Sequence, residues 1–77
     1  KYMEILKNRN GENYKIIASR PSKQKGRKDY IVQSKSGCIT IAHGWQPECK
    51  CWTAGDCYGW GEKALQKAKQ DFDKKHK

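Results

Sequence analysis

Apolar and polar residues alternate in short runs through the first half of the chain, and the alternation gives way to helical spacing near its end. Residues 2–8, YMEILKN, fit a short strand with loose alternation. Asn10-Gly11 follows, a pair that tolerates the positive φ angles of a type I′ hairpin turn. Residues 13–19, NYKIIAS, read as the return strand, with Tyr14, Ile16 and Ala18 on one face and Lys15, Ile17 and Ser19 on the other. Arg20-Pro21 closes it, because proline donates nothing to a ladder. Residues 22–28, SKQKGRK, contain no apolar side chain and predict an exposed tip. DYIVQS, residues 29–34, is a third strand. Ser36-Gly37 is a second turn, and CITIA, residues 38–42, is a fourth strand with Ile39 and Ile41 facing one way.

Beyond Ala42 the pattern breaks. His43-Gly44, Gln46-Pro47, Ala54-Gly55 and Gly59-Trp60-Gly61 interrupt regular structure, with room for a short fifth strand at 49–53. From Glu62 to about Lys74, Ala64, Leu65, Ala68 and Phe72 make one helical stripe. Glu62 at the start and Lys74 at the end have the right signs for the helix dipole. The expectation is an α+β fold in a single domain, 1–77. A small antiparallel β-sheet of three to four strands, a β-meander, packs against one C-terminal α-helix (62–74), with Leu65 and Phe72 toward the sheet. Residues 20–28 form a flexible basic hairpin loop and residues 43–61 an irregular loop rich in Cys and Trp.

Length and charge sharpen this picture. At 77 residues the chain is marginal without a disulfide, a metal or a partner. The net charge of +9 is uneven: +7 over residues 1–35, −1 over 36–60 and +3 over 61–77. Such a field attracts polyanions: nucleic acid, an anionic surface or an acidic protein. Only three of the seventeen basic residues are Arg, which favours backbone contacts over the reading of base edges. No apolar run reaches the roughly 20 residues of a membrane span, and no signal-peptide pattern opens the sequence. The expected location is cytoplasmic, or secreted if the cysteines pair.

The neutral centre holds all four cysteines and all three tryptophans. The plainest reading of Cys38, Cys49, Cys51 and Cys57 is free thiols, followed by two disulfides. A zinc site, with His43 as an alternative ligand, comes last, because C-x-C is not the familiar paired knuckle. No nucleophile–base–orienter set is visible, so neither an enzyme nor a required cofactor is expected. Of Trp45, Trp52, Tyr58 and Trp60, two are expected to serve as core and one or two to be exposed, with Trp45 and Trp52 the candidate stacking surfaces.

The order of strands, basic tip, aromatic loop and GWGEKALQKAKQDF resembles the arm-binding domains of phage integrases over roughly residues 13–73. The resemblance implies a three-stranded sheet docked on DNA with a helix behind it. It covers architecture and helix pattern and assigns no residues. The expected function is therefore nucleic-acid binding through phosphate contacts from Lys15, Arg20, Lys23, Lys25, Arg27, Lys28 and Lys35. The alternative is a small inhibitor or effector, phage-encoded or secreted, that covers an acidic or nucleic-acid-binding surface of a partner protein. A disulfide-linked cationic peptide acting at membranes lacks the broad amphipathic helix it would need.

Overall fold

The computed structural model describes residues 5–74. Five strands, β1 (Ile5–Lys7), β2 (Asn13–Pro21), β3 (Lys28–Gln33), β4 (Ile39–Trp45) and β5 (Ala54–Gly59), precede one helix, α1 (Gly61–Lys74). They form one antiparallel sheet in chain order, β1-β2-β3-β4-β5. The α+β meander with a terminal helix is as the alternation predicts, with one strand more than expected. The added strand, AGDCYG, lies inside the stretch expected to be irregular. It has few β-formers and is an edge strand held by β4. β4 also runs on through His43-Gly44 to Trp45, so the irregular part shrinks to residues 46–53. The other expected option, a strand at 49–53, reduces to a single bridge between Gln46 and Cys51. The predicted first strand falls partly on residues 2–4, outside the described residues.

The two faces of the sheet are covered differently. On one, Ile31, Ile39 and Ile41 pack against Ala64, Ala68 and Phe72 of α1, with Leu65 half-buried beside them. On the other, Leu6, Val32 and Trp45 form a second cluster with Tyr14, Ile16, Tyr30 and Trp52. Residues 46–53 bring Trp52 to this second face, where it meets Tyr14 edge-on at 5.4 Å and Trp45 at 5.8 Å. Such aromatic contacts add about 0.5–1.5 kcal/mol each beyond area burial.

A bulge in β2 changes one predicted face. The register slips between Ile16 and Ala18. Ile17 and Ala18 therefore both turn toward the helix side, while Tyr14 and Ile16 join the aromatic side. The first hairpin also differs from a two-residue turn. Only Gly11 takes positive φ there, and the Asn8 side chain accepts from the amides of Asn10 and Glu12. An Asx-type loop replaces the expected I′ geometry.

Candidate nucleic-acid interface

α1 lies mainly over β3, β4 and β5 and meets β2 at Arg20, beyond Ile17 and Ala18, so β1 and the Lys15 end of β2 lie outside its main contacts. Register places Ile5, Lys15, Gln33 and Ile39 in one row across four strands. Ile39 is buried in the core beneath the helix. Lys15 is exposed, and Ile5 is 52% exposed despite its apolar side chain. An open groove of about 880 Å³ follows this row, lined also by Asn13, Ser34, Lys35 and Ser36. Its wall carries the Lys15 and Lys35 ammonium groups, the amides of Asn13 and Gln33, the hydroxyls of Ser34 and Ser36 and the Glu12 carboxylate, around the apolar side chain of Ile5. The ammonium, amide and hydroxyl groups have the chemistry of phosphate and sugar donors, and the one carboxylate opposes them in part.

Trp60 stands at the end of this row. It is 66% exposed. Its ring abuts Gly37, and a Cβ added there would meet Trp60 Cδ1 at 3.5 Å and Gln33 Nε2 at 3.9 Å. Gln33 Nε2 in turn donates to the Gly37 carbonyl at 3.4 Å. The exposed aromatic plane is thus Trp60, next to Gln33 and the turn bearing Lys35. It is neither of the two tryptophans expected from sequence. Trp45 is only 8% exposed, and Trp52 is half-buried between Tyr14 and Trp45. The sequence offers Trp60 as one of four aromatic residues of which one or two are exposed, and nothing in its glycine neighbours distinguishes it from Trp45 and Trp52.

Hydrogen bonds cross the basic tip. The Ser22 amide donates to the Arg27 carbonyl, and the Arg27 amide to that of Gln24. The Gln24 amide donates to Ser22 Oγ, and Arg27 Nη1 reaches Gln24 Oε1 at 3.3 Å. Lys23, Lys25 and Lys28 are exposed, and Arg27 is half-buried. Gly44 makes room for this tip. A Cβ there would lie 2.7 Å from Gln24 Oε1 and 2.6 Å from Thr53 Oγ1. β2 runs from the Lys15 end to the tip, so the two cationic regions lie at opposite ends of the sheet. Eight steps of about 3.3 Å separate its ends, about 26 Å in all.

Arg20 does not belong to either region, a correction to the expected phosphate set. Its Nε bonds Asp29 Oδ2 at 3.0 Å, with the arginine side chain 10% exposed and the carboxylate fully buried. The guanidinium carbon lies 4.3 Å from the Phe72 ring centre, a cation–π contact with the end of α1. Asp29 also accepts from the Gly44 amide at 2.9 Å. His43 is buried nearby, its Nδ1 3.9 Å from Asp29 and its Nε2 2.9 Å from Asp56. A buried carboxylate needs such partners, so Arg20 is structural. Its symmetrical position with Asp29 about the hairpin tip is the signal that could have revealed this.

The cysteines divide into two pairs. Cys49 and Cys51 form a disulfide around Lys50, which takes a left-handed φ of 52°. Cys38 and Cys57 are free, with their sulfurs 3.0 Å apart. The four do not converge as a zinc site would require, and among the described residues no group of three or more His, Cys, Asp or Glu side chains is arranged to hold a metal ion. Nor is any described helix long and apolar enough to cross a membrane. No protein-family model matches the chain, and no curated protein or solved structure matches it either.

Proposed function

We propose that the domain binds nucleic acid through the groove beside α1, with Lys15 and Lys35 on phosphates and Trp60 stacking on a base. The observation that carries this reading is the row Ile5–Lys15–Gln33, left open and ending at an exposed tryptophan. Stacking contributes about 1–3 kcal/mol per base and is available only to unstacked bases, so single strands are the preferred form. Lys23, Lys25 and Lys28 at the far tip supply a second, sequence-independent attraction. Arg9, exposed on the first hairpin, adds to the positive field near the groove.

Fluorescence anisotropy with labelled single- and double-stranded oligonucleotides across a salt series tests the reading. Affinity should fall linearly on a log–log plot, by about 0.7 per neutralised phosphate for single strands. Binding that stays millimolar at low salt, with no slope, would end it.

A second reading is supported by the exposure of Ile5 as well as Trp60. An apolar pair flanked by lysines also suits an acidic protein surface. Capture of a stoichiometric protein partner that survives nuclease treatment, together with no oligonucleotide binding, would favour it.

A further inference from the structure

Cys38 and Cys57 lie outside the proposed interface chemistry, and their arrangement has its own meaning. Cys38 ends the β3–β4 turn, where its amide donates to Ser34 Oγ at 3.2 Å. Cys57 lies on β5, an edge strand, and is exposed. The ladder slips between Ile39, paired with Gly59, and Thr40, paired with Cys57. That irregularity turns the two thiols toward each other across nineteen residues of chain, at 3.0 Å. A disulfide bond is about 2.05 Å, so closure needs a movement of about 1 Å. The same domain already holds one disulfide, Cys49–Cys51.

We propose that Cys38 and Cys57 are a thiol–disulfide modification site that closes into a second intramolecular bridge by exchange with a small-molecule disulfide. Cys57 is the entry thiol. It is the accessible one, and the Cys38 thiol and then the Gly59 amide hydrogen-bond to its sulfur and hold it below the usual thiol value. Cys38 is pushed up, first by that same contact with Cys57 and then by burial, so Cys57 is the earlier of the two to lose its proton. The Cys57 thiolate attacks one sulfur of the incoming disulfide, forms a mixed disulfide and releases one thiolate. Cys38 then loses its proton and attacks the Cys57 sulfur, releasing the second thiolate. The protein loses two electrons and two protons, and the small disulfide is reduced to two thiols.

The bridge would tie the turn that carries Lys35 to the edge of the sheet. It stands independently of nucleic-acid binding, because its readout is covalent. The test is incubation of the purified domain with oxidised glutathione, acid quenching and intact mass. Digestion with trypsin and chymotrypsin follows, since cleavage at Lys50, Trp45 and Trp52 separates all four cysteines. The wild type should lose two protons and yield a fragment joining Cys38 to Cys57. Cys38→Ser should instead retain one glutathione, on Cys57. The proposal is overturned if the wild type keeps both thiols free or holds stable glutathione adducts on both. Joining Cys38 to Cys49 or Cys51 overturns it equally.

Discussion

Arg20 and Asp29 meet at 3.0 Å across the β2–β3 hairpin, with the carboxylate wholly out of water. The two guanidinium nitrogens beyond Nε are themselves buried without a hydrogen bond. The cation is therefore held by one carboxylate and the Phe72 ring, and loss of either has different consequences. Asp29→Ala leaves a buried positive charge and an unpaired Gly44 amide. It should cost about 3–5 kcal/mol in urea unfolding, with an unchanged slope. Replacing the pair together, Arg20→Met with Asp29→Leu, should recover much of that loss, since the stranded charge is gone. Nucleic-acid affinity of the folded double variant should change little, because the Arg20 side chain is buried against Asp29 and Phe72.

The tryptophans separate stability from binding. Trp45→Ala should destabilise by about 3–5 kcal/mol, the usual loss for a buried aromatic. Trp60→Ala should leave the unfolding midpoint within about 0.5 kcal/mol of wild type. It should weaken single-strand binding by about 1–3 kcal/mol, roughly 5- to 150-fold in Kd. Equal loss of binding in Trp52→Ala and Trp60→Ala variants, both folded, would contradict the placement of the stacking surface.

Lysine variants test the two ends of the sheet. Lys15→Ala and Lys35→Ala together should lower the single-strand salt slope by about 1.4, about 0.7 for each lost phosphate contact. The triple variant of Lys23, Lys25 and Lys28 should weaken single and double strands alike, because the tip offers charge without stacking. Anisotropy titrations at three salt concentrations distinguish these outcomes.

Tyr58 gives the fold an alkaline limit. Its hydroxyl donates to Asp71 at 2.6 Å, joining β5 to α1. Burial, and then the hydrogen bond and charge of Asp71, push the phenol well above the ordinary value of 10.0. The folded state thus holds this proton more tightly than the unfolded state. Its stabilising contribution is complete below pH 10 and declines as pH rises above it. Chemical denaturation at pH 8 to 11 should show the decline, and Tyr58→Phe should flatten it while costing about 1 kcal/mol at neutral pH.

The two cysteine pairs should differ in thermal effect. Closing the nineteen-residue span between Cys38 and Cys57 removes unfolded-state entropy worth about 3 kcal/mol, and the short Cys49–Cys51 ring roughly half of that. Calorimetry of the fully oxidised, singly bridged and reduced forms should rank their Tm values in that order.

Much of this fold was written in periodicity, and the missing pieces share a physical cause. β2, β3 and β4 are rich in Ile, Val and Tyr, and alternation located them. AGDCYG has no β-branched residue, so β5 exists by pairing with β4 and not by propensity. The bulge at Ile17 depends on two registers at once, which no single strand encodes. The cationic run around the tip was legible as charge. That Arg20 turns inward follows only once Asp29 is known to lie opposite it. Tryptophan burial was least legible of all: Trp45 lies in a strand and is buried, whereas Trp60 immediately precedes the helix and is exposed.

The meander order has a kinetic consequence. Every ladder joins strands adjacent in sequence, so the sheet can zip hairpin by hairpin with small closure entropies. The helix follows the five strands in the chain. Until residues 61–74 dock, Ile31, Ile39 and Ile41 present a continuous oily stripe to water. A chain interrupted before α1 would pair its strands and still be sticky, so the last fourteen described residues act as a lid against self-association during synthesis.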